Sequence, residues 1–162
     1  MSLFAPTDRL TRVALREDRP RARTPEIQQE LDLAVFDLAE ENRFQIARED
    51  APAGPYILHI GMDDRLLALS VTTEDGGPAT ELHLSLAPLR GIIKDYFAIC
   101  ESYFDAVKRL PPSKIEAIDM GRRGVHDEGA RVLIDRLDGK VATDQVTARR
   151  LFTVICALQF RG

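Results

Sequence analysis

An α+β fold is what this sequence predicts: a mainly antiparallel sheet of about four or five strands, with three or four helices packed on one face. Three stretches carry that expectation. From Tyr56 to Leu86 apolar and polar residues alternate with a period of two, as in strands with one wet face. From Pro88 to Leu110, PLRGIIKDYFAICESYFDAVKRL, the period changes. Leu89, Ile92, Ile93, Tyr96, Phe97, Cys100, Phe104 and Val107 recur at steps of three and four, while Arg90, Lys94, Glu101, Asp105 and Lys108 fall mostly opposite. In the last stretch Val146, Leu151, Val154, Ile155 and Leu158 give a second apolar helix, which also holds Phe152 and is followed by Phe160.

The elements follow in order. RLTRVALR, residues 9–16, sets Thr11, Val13 and Leu15 against charged positions and predicts a first strand. Residues 17–24, with Arg19, Arg21 and Arg23 among acidic neighbours, predict an exposed connection. Thr24 before Pro25 starts a helix, with a side-chain oxygen at the cap and proline at its first position. Leu31, Ala34, Val35 and Leu38 form its stripe, with Phe36 beside it, to about Asn42. RFQIA, 43–47, is a short strand candidate, and APAGP, 51–55, breaks the chain.

The meander at 56–86 turns at Met62-Asp63-Asp64 and again at EDGGP. In its last strand Leu82, Leu84 and Leu86 face one way, and Glu81, His83 and Ser85 the other. The buried side should meet the helix that follows. Pro111-Pro112 stops that helix, and Ser113 to Glu116 has the capping-box spacing for the next. An interruption is expected near Gly121-Arg-Arg-Gly124, a resumption by about Asp127, and a stop at Asp138-Gly139. Thr143 would cap the last helix. The whole chain, 1–162, reads as one domain, with a helical half at 88–162.

Composition narrows the function classes. The 44% hydrophobic and 30% charged residues suit a soluble globular domain with a sizeable core. The formal charge of −4 argues against a protein that coats nucleic acid. No apolar run is long enough to span a membrane, and the N-terminus lacks a signal-peptide pattern, so a cytoplasmic location is expected. Cys100 and Cys156 sit on apolar faces without metal or redox spacing, as reduced core thiols do.

No nucleotide, hydrolase or zinc-protease motif is present, and neither a cofactor nor a metal site is expected. His59 and His83 each lie mid-strand and can share a sheet; structural histidines satisfy that pattern. The densest polar constellation is Asp119 to Gly129. There Arg122 and Arg123 can hold a carboxylate or phosphate, the amides of a fresh helix start favour anions, and His126 with Asp127 or Glu128 can supply acid–base groups. Arg90 and Lys94, in helical turns whose dipole disfavours cations, can share such an anion. The plainer reading gives Asp127 and Glu128 to helix capping and pairs the arginines with Asp119 or Asp127. Arg149 and Arg150 suit a solvated face or an interface rim.

The strings IIKDYFAICESYFDAVKRLPPSKIEAIDMGRRGVHDEGA and TARRLFTVICALQFRG resemble an uncharacterised family of small alphaproteobacterial proteins of unknown function. That resemblance implies a bacterial cytoplasmic protein and supplies no activity or catalytic residue. Two expectations follow. The first is a non-enzymatic binding or regulatory domain that forms homo-oligomers through its C-terminal helix, whose apolar residues span more than one face. The second is a small-molecule enzyme or anion-binding protein centred on Gly121–Gly129.

Overall fold

In the computed structural model, residues 4–17, 23–63 and 65–160 are described. Strand β1 (Leu10–Arg16) leads into helix α1 (Pro25–Glu40) and the short strand β2 (Phe44–Ile46). The meander follows as β3 (Tyr56–Asp63), β4 (Leu66–Thr73) and β5 (Pro78–Ser85). A 3-10 turn at Ala87–Leu89 enters α2 (Arg90–Arg109), then come α3 (Pro112–Leu137), β6 (Val141–Thr143) and α4 (Gln145–Gln159).

The main sheet has the order β1-β3-β4-β5, with β1 parallel to β3 and the other pairs antiparallel. Two-residue alternation sets its faces: Leu58, Ile60, Leu67, Leu69, Val71, Leu82 and Leu84 are buried, while Glu81, His83 and Ser85 are exposed. His59 and His83 do share this sheet, on the side away from the core. The expected turn at Met62 is displaced, since Met62 still pairs with Leu67 and Asp63 with Leu66. Strands β2 and β6 form a separate antiparallel ribbon; β6 was not expected, and it moves the helix cap from Thr143 to Asp144, whose carboxylate accepts from the Thr147 amide.

Helix α4 is the centre of the core. Every residue from Leu151 to Leu158 is buried, in contact with α1 and α3 and, less extensively, α2. The apolar surface expected to reach a second copy is therefore used inside the chain, and only Val146, in its first turn, stays exposed. Helix α2, expected to be central, packs chiefly along α3; Ile93, Tyr96 and Cys100 are buried, but Val107 is not. Both cysteines are free and buried.

Two further expectations are corrected. Helix α3 runs unbroken through Gly121 and Gly124, with Pro111 at its N-cap and no side-chain cap from Ser113. A helical glycine costs only about 1 kcal/mol relative to alanine, which tertiary contact easily outweighs. At Gly129 the missing side chain is what lets α3 meet α4, because a Cβ there would lie 2.5 Å from the Phe152 ring. Of the connection expected to be exposed at 17–24, residues 18–22 lie outside the described residues and Thr24 is exposed, while the Arg23 side chain turns inward, pairs with Glu17 and donates to the Ala157 carbonyl, closing the C-terminal end of α4. Thr24 caps α1 as expected, accepting from the Ile27 amide.

The two glycines give opposite expectations. Gly129→Ala should lower stability in urea by about 1–3 kcal/mol through overpacking, less any gain in helix propensity. Gly124→Ala, where nothing lies within 4 Å of the added carbon, should raise it by up to about 1 kcal/mol.

Candidate functional site

Continuity of α3 decides what its polar constellation can do. With no helix start at Asp127, no free amides point at a ligand there, and each side chain is placed by helical geometry alone. Arg122 lies across α1 and α2. Its Nη1 donates to Glu30 Oε1 at 2.9 Å, its Nη2 to Asp119 Oδ1 at 2.8 Å, and its Cζ sits 4.1 Å from the Tyr103 ring centroid. The fork is filled by two carboxylates and one face by an aromatic ring. Arg123 is largely exposed and shares Asp119, Nε to Oδ2 at 3.1 Å.

Burial raises the Glu30 carboxyl above its usual range, and the attraction of Arg122 only partly opposes this. The pair therefore does not repay the full desolvation of Glu30, yet removal of either partner leaves the other stranded.

His126 projects into an aromatic niche, its ring 5.3 Å from that of Tyr96 and 6.3 Å from that of Phe152, both edge-on. Burial, reinforced by the charges of Arg149 and Arg122, depresses its pKa from 6.5 to about 4, against a hydrogen bond to the Arg122 backbone and the charge of Asp127. A neutral ring is the form the niche favours. Asp127 is an exposed partner of Arg149, whose Nε lies 3.2 Å from Oδ1 at an angle that misses a hydrogen bond. Glu128 is exposed.

Arg90 and Lys94 are exposed near the start of α2. They precede Tyr103, the residue under Arg122, by roughly 20 and 13 Å along the helix axis at 1.5 Å per residue. The structure does not bring them to the Arg122–Arg123 cluster. Among the described residues no group of three or more His, Cys, Asp or Glu side chains is arranged to hold a metal ion.

What does converge is a cleft of about 300 Å³ between α1 and α4, with His126 at its edge. Glu30, Leu33, Ala34 and Asp37 come from α1; Val146, Arg149, Arg150 and Thr153 come from α4. Arg150 donates to the Glu41 carbonyl at 2.8 Å and the Asp37 carbonyl at 3.3 Å, so it serves the negative end of α1 rather than projecting freely. Of this lining Leu33 and Val146 are 53 and 46% exposed, and Phe36, three residues on from Leu33 along α1, is 61% exposed. Sequence reasoning missed this face. The available signal was Phe36 and Leu33, apolar residues off the Leu31–Ala34–Leu38 stripe.

The architecture defines an α+β protein in which Arg122 and Arg123, the arginines of the candidate site, are paired with carboxylates. More particularly, the chain belongs to the uncharacterised protein family UPF0262, whose signature spans residues 7–161. It is 60% identical over 139 residues to a UPF0262 protein of Jannaschia sp. (strain CCS1), covering 86% of this chain and 89% of that one. A UPF0262 protein of Ruegeria pomeroyi is 54% identical over 157 residues, covering 95% and 98%. No solved structure matches the chain. Among the described residues no helix is long and apolar enough to cross a membrane.

Two measurements test the electrostatic reading. Arg122→Ala should cost about 3 kcal/mol by leaving Glu30 buried and unpaired, and Arg122→Lys should restore only part of it, because an ammonium cannot bridge two carboxylates while stacking on Tyr103. His126 should make the fold acid-sensitive. Its folded pKa lies below the unfolded value, so the unfolded chain takes up the proton first and stability falls as pH drops from 6.5 towards 4. The full loss is roughly 3 kcal/mol, and a urea series in that window should be flatter for His126→Phe than for wild type.

Proposed function

We propose that this protein is a non-enzymatic binding domain that self-associates through the face formed by α1 and the first turn of α4. The observation that carries this reading is the exposure of Leu33 and Val146 in an open cleft and of Phe36, three residues along α1 from Leu33. An aromatic side chain left in water on such a face is a common anchor for a protein interface. The charges around it suit a second copy as the occupant: Asp37 and Arg149, one of each sign, line the cleft, while Glu30 is held by Arg122 and Arg150 by the α1 carbonyls. A patch carrying both signs can face itself across a two-fold axis, each acidic side chain meeting a basic one. The C-terminal helix contributes Val146, Arg149, Arg150 and Thr153 to the cleft.

An anion-binding or catalytic role centred on Gly121–Gly129 has less support. Arg122 is occupied by Glu30 and Asp119, Arg123 shares Asp119, and Asp127 faces Arg149. His126 is oriented by aromatic rings, and Arg90 and Lys94 lie elsewhere on α2.

Light scattering coupled to gel filtration tests the proposal. Wild type should run at twice the chain mass and shift towards monomer on dilution. Phe36→Glu should weaken the dimer by at least about tenfold, the range of an anchor residue, without loss of helicity. A concentration-independent monomer, or a dimer indifferent to Phe36→Glu, overturns it.

A further inference from the structure

On another side of the molecule, a groove of about 720 Å³ runs between the start of α1, the outer flank of α2 and Phe160. Its apolar lining is Ile27, Phe97, Phe104 and Phe160, with the Phe97 and Phe160 rings edge-to-face at 5.5 Å. Its rim among the described residues is acidic: Glu26 on α1, Glu101 and Asp105 on α2, against the cation Lys108. Asp105 is shared with Arg109, so Glu26 and Glu101 carry the charge left to a ligand. On α2 the lining extends from Phe97 to Lys108, twelve residues and three helical turns, about 16 Å.

We propose that this groove binds a basic amphipathic helix of a partner protein, its apolar stripe on the phenylalanines and its Lys or Arg residues against Glu26 and Glu101. Length selects the occupant. An open trough three turns long matches about eleven residues of helix, and helix-in-groove recognition places anchors at steps of three and four along such a floor. Charge selects the sign of the partner, because a second copy of this acidic chain brings net repulsion to an acidic rim. The inference stands on observations separate from the α1–α4 face and does not depend on self-association.

The probe is a fluorescein-labelled, amidated Leu/Lys peptide with helical amphipathic spacing, read by anisotropy against the full-length chain. Its controls are a scrambled peptide of the same composition and a Leu/Glu version. The amphipathic basic peptide should bind wild type. Glu26→Lys/Glu101→Lys should weaken binding at least about tenfold, the scale of losing interfacial charge pairs. Ala98→Arg, which crowds the groove from an exposed helical position, should weaken it comparably. Glu49→Lys/Glu116→Lys, two exposed sites away from the groove, makes the same change in net charge and should have little effect; this separates the groove from general attraction to an acidic protein. Three results would each overturn the proposal: equal binding of the scrambled peptide, equal losses from both charge reversals, or no binding to wild type.

Discussion

Burial of α4 on all sides from Leu151 to Leu158 is the constraint on which the rest of the structure depends. That stretch has no face for solvent, so buried polar side chains within and beside it are used locally. Thr147 accepts from the Arg43 amide, which ties the approach to β2 onto α4, and Thr153 donates to the Arg149 carbonyl one turn earlier. The helix ends are closed by Asp144 at the start and by Arg23 near the finish. Once α4 is interior, α1 and α3 must flank it. The α3 contact requires Gly129, because only a residue without a side chain lets the Phe152 ring lie against the helix backbone.

The charged constellation of α3 follows from that arrangement. Arg122 emerges where α1, α2 and α3 come together, and bridging Glu30 and Asp119 over Tyr103 fixes the three relative to one another. Because burial still holds the Glu30 carboxyl above its usual range, the bridge does more for the register of the helices than for net stability. His126 belongs to the same packing, a ring among rings, kept neutral by its surroundings. The surfaces that remain for partners are those the packing leaves uncovered: the apolar face beside the α1–α4 cleft and the acidic groove along α2.

Much of the fold was legible because periodicity reports which face is wet. The meander, the β1 strand, the Thr24-Pro25 start of α1 and the Asp138-Gly139 stop all follow from local chemistry. Other features depend on what a segment meets. Gly121 and Gly124 look like a helix break in isolation, yet a helix packed along most of its length carries their small cost. An apolar helix such as 151–158 suits a core and an interface equally, since its sequence does not say how many neighbours surround it. Strand β2 was legible as RFQIA, whereas β6 is three residues long, too short for alternation to declare itself. At the candidate site the residue types were legible and their partners only in part: Asp119 is three residues from Arg122, whereas Glu30 is ninety-two away.

Hydrogen–deuterium exchange of the intact chain at low and high protein concentration tests most directly whether the C-terminal helix serves the core rather than a partner. Amides from Leu151 to Leu158 should be among the slowest to exchange and equally slow at both concentrations, because the chain itself buries them. Any added protection at high concentration should fall on residues 30–37 and 145–150. Fast exchange of Leu151–Leu158 at low concentration, slowing as concentration rises, would contradict the account: that helix would then owe its burial to a second copy.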